Sequence, residues 1–458
     1  MTEKQAGSHE NGPGLLFGTK EEEEKMTYQQ AVARVDSRLR FGIKAGLDNI
    51  TALLHKLGDP HKKLRVVHVA GTNGKGTTCT LLAAVLCKAG YRTGLFTSPY
   101  VIDFRERFII NGTMIEPEGV IQLVKKVEPA VLELEQEGVY VTEFEMITAM
   151  GFLWFSEQQC DVVVLEVGLG GRFDATNVIA CPEAAVVASI SLDHTAILGG
   201  TVEQIAFEKA GIFKPGTTAV LYPKEPEGAQ TVLENACREK GIPCVTAREQ
   251  DVTVQDTDIS GTRLLWKGKL PLSMAFIGEH QRLNAATVLA VIEVLREKGW
   301  CLPDESVQRG FAAAHIPARM EYIEGHPPVL LDGGHNPGCA KALRQVLETY
   351  LPGRTLTAVI GMMADKDSET ALSEVAPLFA HVITVQPQNP RSLPAEELAK
   401  RAGHYCSDCK AAESVEEALS MARTLCGEDG VMVVCGSFYL ASEVRPFLLS
   451  GEKKEARP

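Results

Sequence analysis

Short runs of β-branched residues alternate with stretches of helical periodicity along most of the chain. The segment Arg65-Val66-Val67-His68-Val69 reads as a strand, and the spacing of apolar residues after it predicts a helix over 78–89, closed by Gly90. This alternation implies βαβ units around a parallel sheet. Residues 161–167 are apolar on both faces, as a central parallel strand must be, and residues 184–190 read the same way. Near residue 316 the rhythm restarts, with strands expected over 328–331, 355–360, 381–385 and 431–435 and helices over 339–350, 369–379, 396–401 and 416–425. The expected fold class is therefore α/β in two domains. A larger one over 27–316 carries a mainly parallel central sheet, and a smaller Rossmann-like one over 317–458 follows a hinge at 315–319. Residues 1–26 are polar and include Glu21-Glu22-Glu23-Glu24, so they are read as a disordered leader.

Composition narrows the function. Hydrophobic residues make up 45% and charged residues 23% of 458, which excludes a mainly disordered, collagen-like or coiled-coil chain. With 46 Lys and Arg against 59 Asp and Glu, the formal charge is −13. No nucleic-acid or membrane partner is expected at that charge, and any anionic ligand needs a local site. The best apolar stretch, 147–155, is too short to span a bilayer. The 12 cysteines scatter through apolar segments as small buried residues, which points to a reducing cytoplasm. Cys406 and Cys409 form a C-x-x-C beside His404, but no second pair stands at zinc-site spacing, so an ordinary loop is expected there.

The strongest chemical signal is Gly71-Thr72-Asn73-Gly74-Lys75-Gly76-Thr77-Thr78, between a predicted strand and a predicted helix. Glycines let successive N–H groups face a phosphate, the helix N-terminus adds partial positive charge, and Lys75 reaches the terminal phosphates. The first domain is thus read as a P-loop nucleotide-binding domain. A second cluster, Gly168-Leu169-Gly170-Gly171-Arg172-Phe173-Asp174-Ala175-Thr176-Asn177, fails as a dinucleotide fingerprint because Phe173 stands where the third glycine belongs. It is read as a flexible loop that leaves Glu166 beside the phosphates, where a carboxylate suits Mg²⁺. Ser189-Ile190-Ser191-Leu192-Asp193-His194, Glu208-Lys209 and Leu331-Asp332-Gly333-Gly334-His335-Asn336-Pro337 are weak singly. The first and the last stand at strand ends, where open α/β sheets bind ligands, Glu208-Lys209 falls on a helix, and their order after the phosphate loop is what raises them.

Taken together, these residues resemble the Mur ligase superfamily, in its folylpolyglutamate synthase and dihydrofolate synthase branch. The likeness runs from Phe41-Gly42-Ile43 and Leu57-Gly58-Asp59-Pro60 through the phosphate loop and Phe96-Thr97-Ser98-Pro99. It continues through Glu208 to Lys214, His280-Gln281-Arg282-Leu283-Asn284-Ala285 and Ala318-Arg319-Met320-Glu321 to Gly436-Ser437-Phe438-Tyr439-Leu440. Gly76, between the lysine and the hydroxyl pair, is the mark of the folate branch. The resemblance implies that Gly71 to Thr78 hold ATP phosphates and that Ser98, Glu166, His194 and a carbamylated Lys209 hold Mg²⁺, two ions in number, with a monovalent cation as a further expectation. It implies that Asn284 meets adenine, Arg319 phosphates and Asp332 the ribose, and that substrate touches Phe144, His335 and Ser437. Lys75, Glu166, His194, Lys209 and His335 are the expected catalytic set. Tyr100 departs from the histidine common after Ser-Pro, Ala318 from the glycine that often precedes the arginine, and Thr77 from the usual serine.

The function so implied is an ATP-dependent amide ligase that adds L-glutamate to the carboxylate of a reduced folate, and also to dihydropteroate, by way of an acyl phosphate. A monomer is expected. Two rivals stay open: a Mur-type ligase acting on a peptidoglycan precursor, and a P-loop ATPase switch that makes no amide.

Overall fold

The computed structural model describes residues 26–42, 46–427 and 429–455. The leader read over 1–26 lies outside them except for Met26, as does Ile43 of the Phe41-Gly42-Ile43 segment. Three sheets organise the chain. The first has eight strands: β1 (Val66–Ala70), β2 (Thr93–Phe96), β3 (Ile109–Ile110), β4 (Thr113–Met114), β5 (Val162–Glu166), β6 (Ala184–Val187), β7 (Ala219–Leu221) and β8 (Cys244–Thr246), in the order β4-β3-β2-β5-β1-β6-β7-β8. All pairings from β2 to β8 are parallel, and only the β3 and β4 edge is antiparallel. β1 and β5 are buried along their whole length, which is why both read as unbroken apolar runs. One face packs on the helices Lys75–Lys88 and Glu279–Glu297. The other packs on Pro117–Gln136 and Glu143–Glu157, and the latter turns the apolar stretch 147–155 into a buried helix. No helix among the described residues is long and apolar enough to cross a membrane.

A second sheet, which the sequence reading did not anticipate, is antiparallel: β9 (Val252–Asp258), β10 (Gly261–Trp266) and β11 (Leu270–Met274). In β9 only Val252 is buried, so Gln, Asp and Thr on its open face hide the strand pattern. The third sheet joins β12 (Glu321–Ile323), β13 (Val329–Leu331), β14 (Leu356–Ile360), β15 (His381–Thr384), β16 (Cys409–Ala411) and β17 (Val431–Cys435) in the order β12-β13-β17-β14-β15-β16. It is parallel except for β12. Cys409 therefore lies in an edge strand rather than a loop, with its Cα opposite Val382. Cys406 and Cys409 are both free thiols. The first helix of the phosphate loop starts at Lys75 and not at 78, because Gly74 in the left-handed region (φ +80°) turns the chain straight into it.

Candidate functional site

Parallel pairing sets the site. Val69 lies opposite Glu166 and Ala70 opposite Val187, so the carboxyl ends of β1, β5 and β6 emerge side by side. The loop after β1 is anchored by Thr72 and Asn73, whose N–H groups donate to the Ser189 carbonyl at 2.8 and 3.1 Å. A Cβ on Gly74 would collide with the Asn284 side chain, whereas at Gly76 the nearest atom is Glu166 Oε2 at 3.9 Å. The bare Gly76 thus leaves an open gap between loop and carboxylate. Lys75 folds back, its Nζ donating to the carbonyls of Gly71 at 3.1 Å and Thr72 at 3.2 Å. Glu166 is buried and accepts a hydrogen bond from the Ser98 N–H at 3.2 Å. Burial raises its pKa, with the Lys75 charge opposing.

From the third sheet, β13 delivers Asp332, which is buried and accepts N–H bonds from Met320 at 3.2 Å and Gly334 at 3.0 Å. Arg319 lies with its guanidinium 4.2 Å from the Phe438 ring centroid, where cation and ring face attract. It is flanked by Ala318 at φ +53° and Met320 at φ +50°, so the connector is bent at two strained residues. Glycine would meet that bend at Ala318 without strain. The two domains are stitched at Asp193: Lys366 Nζ donates to it at 2.9 Å, Asn336 Nδ2 at 3.1 Å, and His335 Nε2 stands 3.8 Å away. Burial pushes the Asp193 carboxyl up, but the nearby His335 ring and the hydrogen bond and charge of Lys366 outweigh it and hold the group well below the ordinary carboxylate range. Asn336 also donates to Asn73 Oδ1 at 3.0 Å, tying the second domain to the phosphate loop itself.

A cavity of about 280 Å³ lies between these walls. Of the residues expected from sequence, Gly71 to Thr77, Ser98, Glu166, His194, Lys209, Asn284, Arg319, Asp332 and His335 all line it. Three do not. Thr78 is buried inside the helix, the Phe144 ring fills the space above Gly168, and Ser437 is buried with its hydroxyl accepting the Leu440 N–H at 3.1 Å. Lys366 was not read from sequence, although its place shortly after β14 follows the same strand-end rule as the others. Tyr222 and Phe438 complete the wall.

The donor set fits cations only in part. Among the described residues no three His, Cys, Asp or Glu side chains converge on one point. A divalent ion between Glu166 and His194 would thus need the Ser98 hydroxyl, nucleotide oxygens and a modified lysine to complete its shell. Lys209 is suited to that: it is buried, and burial first, then the Lys75 charge, pushes its amine down to about 7. His194 is held in the left-handed region at φ +50° with Nε2 3.3 Å from Lys366 Nζ, and burial lowers its pKa.

A phosphate loop facing a second α/β domain across a polar cleft defines a nucleotide-using enzyme built to bring two bound reactants together. Comparison with known proteins gives the same frame: residues 69–292 match the Mur ligase middle domain, and residues 318–438 match the Mur ligase glutamate ligase domain. The chain belongs to the Mur ligase family, in its folylpolyglutamate synthase and dihydrofolate synthase branch. It is 35% identical to the dihydrofolate synthase/folylpolyglutamate synthase of Bacillus subtilis, over 91% of this chain and 98% of that one. It is 34% identical to the folylpolyglutamate synthase of Lacticaseibacillus casei, over 93% and 100%. Among solved structures, Mycobacterium tuberculosis folylpolyglutamate synthase complexed with ADP superposes with a TM-score of 0.84 at 32% identity, covering 92% of this chain and 98% of that one. Escherichia coli FolC in complex with DHPP and ADP gives 0.81 at 30%, covering 93% and 99%.

Proposed function

We propose that the chain is an ATP-dependent amide ligase that joins the amine of L-glutamate to a carboxylate of a reduced folate or of dihydropteroate. The observation that carries this reading is the shared cavity: the phosphate loop and the Asp332 to His335 strand end line it together, and the Asn73 to Asn336 bond joins them. A switch protein has no use for a second wall, and the relatives bear the names of such synthases. The division into 27–316 and 317–458 is part of the proposal, as are a cytoplasmic monomer and a monovalent cation without assigned ligands.

A carboxylate resists attack by an amine, so the γ-phosphate of ATP is first transferred to it, giving an acyl phosphate and making phosphate the leaving group. In this reading Lys75 leaves the Gly71 and Thr72 carbonyls and spreads the charge of the transferring group. Asn284, Arg319 and Asp332 hold the nucleotide, and His335 positions glutamate so that its neutral amine meets the acyl carbon. The Asp193 clasp with Lys366 and Asn336 keeps the domains closed and water out, an effect worth several kcal/mol when alignment is good. Mg²⁺ held by Ser98, Glu166, His194 and a carbamylated Lys209 would polarise the phosphates. The test is glutamate-dependent ADP release with tetrahydrofolate, dihydropteroate or a nucleotide-linked muropeptide as acceptor. Release with either of the first two is expected. Release only with the muropeptide would make it a cell-wall ligase, and hydrolysis indifferent to all three would make it a switch.

A further inference from the structure

Two cysteines away from the cavity are arranged for chemistry on each other. β8 is the outer strand of the first sheet, and Cys244 pairs there with Ala219 of β7. Residues paired across strands share a face, and successive residues of one strand take opposite faces. Ala219 is buried in a cluster with Leu221, Leu233 and Cys237, whereas Val245 packs on the cluster of the opposite face. Cys244 is therefore directed to the side covered by the helix Glu227–Lys240, which carries Cys237 in its last turn. Gly241, in the left-handed region at φ +63°, turns the chain back, and the Ile242 N–H donates to the Cys237 carbonyl at 3.1 Å, so the turn between the two cysteines is closed. Cys237 is 1% exposed, while Cys244 is open to solvent. Each thiol is the leading influence on the other: Cys237 holds Cys244 below the ordinary thiol range, and Cys244, then burial, pushes Cys237 up. The exposed thiol is thus the more readily ionised of the two, which suits it to attack first.

The C-x-x-C pair differs. Cys406 Sγ donates to the Phe379 carbonyl at 3.3 Å and Cys409 Sγ to the Cys406 carbonyl at 3.2 Å, and burial pushes Cys409 up to about 12. What sets Cys237 apart is also its neighbour Lys240, whose Nζ donates to the carbonyls of Ala210 at 3.1 Å and Phe213 at 2.8 Å. Those carbonyls belong to the turn directly after Lys209, which lines the cavity. We propose that Cys244 and Cys237 form a modification site for low-molecular-weight disulfides, oxidised glutathione among them, and that closing it loosens the hold of Lys240 on the segment that carries Lys209. The Cys244 thiolate attacks one sulfur of the incoming disulfide, whose S–S bond breaks and releases a first thiol. Cys237, giving up its proton, then attacks Cys244 Sγ and displaces the second. Two cysteine thiols are oxidised to one disulfide, and one external disulfide is reduced to two thiols. Bonded sulfurs stand closer than separate thiols, so closure pulls the last helical turn and β8 together. The link to Lys209 rests on the ligase reading above; the thiol pair itself does not.

The test treats the full chain with oxidised glutathione, blocks the remaining thiols with N-ethylmaleimide and digests with trypsin, which cuts after Arg238 and Lys240 and so puts the two cysteines on peptides 225–238 and 241–248. From wild type these should be recovered joined, and dithiothreitol should part them. Cys237→Ala should stop with one glutathionyl group on Cys244, and Cys244→Ser should leave Cys237 unmodified. Oxidised glutathione should lower the glutamate-dependent ADP release of wild type about fivefold or more, as displacing a group at the reacting centre does, with recovery in dithiothreitol and no such loss in Cys244→Ser. Peptides that stay separate in wild type would overturn the proposal. So would equal inactivation of Cys244→Ser, or full activity of a chain in which the bond is closed. Should untreated wild type release no ADP with the folate acceptors, it is the ligase reading that fails, and the joined or separate peptides still decide on the thiol pair.

Discussion

Replacing Gly74 by alanine probes whether the phosphate loop depends on a missing side chain. At φ +80° an L residue is strained by about 1–2 kcal/mol. The new Cβ would overlap Asn284 Oδ1 and stand 3.0 Å from its Cγ, and Asn284 is buried with its amide donating to Gln281 Oε1 at 3.0 Å. Shifting it forfeits that bond, worth about 1 kcal/mol. The sum is roughly 2–3 kcal/mol, and at ~2 °C per kcal/mol for a domain of this size the melting temperature should fall by about 4–6 °C. The same shift disturbs both the loop N–H groups and Asn284, so AMPPCP should bind at least about tenfold more weakly, equivalent to ~1.4 kcal/mol. Thermal melting with and without AMPPCP, together with calorimetric titration, reads both numbers. A variant that melts within about a degree of wild type and binds AMPPCP as tightly would refute the claim that this glycine holds the loop open.

Lys75→Ala should leave the melting curve intact and cut glutamate-dependent ADP formation below about a tenth of wild type; a folded variant above that level would take Lys75 out of the chemistry. Lys209, if carbamylated, should carry the added mass of CO₂ that disappears in acid, and Lys209→Ala should be nearly inactive but partly rescued by small carboxylates; full activity would make it a bystander. For His335→Ala we expect a raised glutamate KM and a lowered kcat with nucleotide affinity unchanged, and a collapse of ATP binding at constant glutamate KM would contradict the division of labour between domains. His68 and His280 are pushed down by burial to about 3 and about 4. An unfolded chain titrates them near the ordinary 6.5 and so binds more protons between these values, which means stability falls as pH drops from about 6.5 to 4. His280→Gln should flatten the melting temperature against pH in that window; an unchanged slope would show that this histidine is not held neutral.

The parallel sheets were legible because β1, β5 and β17 are buried on both faces and leave unbroken aliphatic runs. The cavity was legible because its chemistry sits at strand ends, where Gly71, Glu166, His194 and Asp332 follow such runs directly. What escaped depends on distance along the chain. β9 looks polar because its buried partners come from β10 and β11, and Cys409 joins a strand only because β15 lies beside it. Lys366 gains meaning from Asp193, more than 170 positions earlier, and nothing in Phe104-Arg105-Glu106-Arg107 shows that one arginine is paired and the other sealed in. Phe144 and Ser437, taken from resemblance, do not line the cavity: Phe144 packs over Gly168 and Ser437 is buried with its hydroxyl on the Leu440 N–H.

The loop after β2 has a consequence for how the molecule can be taken apart. Val101, from the first domain, is buried in the same apolar cluster as Ala318, Leu331, Phe438 and Val444, and Ile277 is likewise buried with Leu330, Leu343 and Val346. The first domain therefore lends two residues to the interior of the second, although the covalent joint lies at the bend around Arg319. A C-terminal fragment cut at that joint would expose two sockets that its own sequence cannot fill, each forfeiting roughly 1.5–3 kcal/mol of burial. Heating the intact chain should then melt both halves together more nearly than their separate sheets suggest, because the second core is not complete until the first domain has formed.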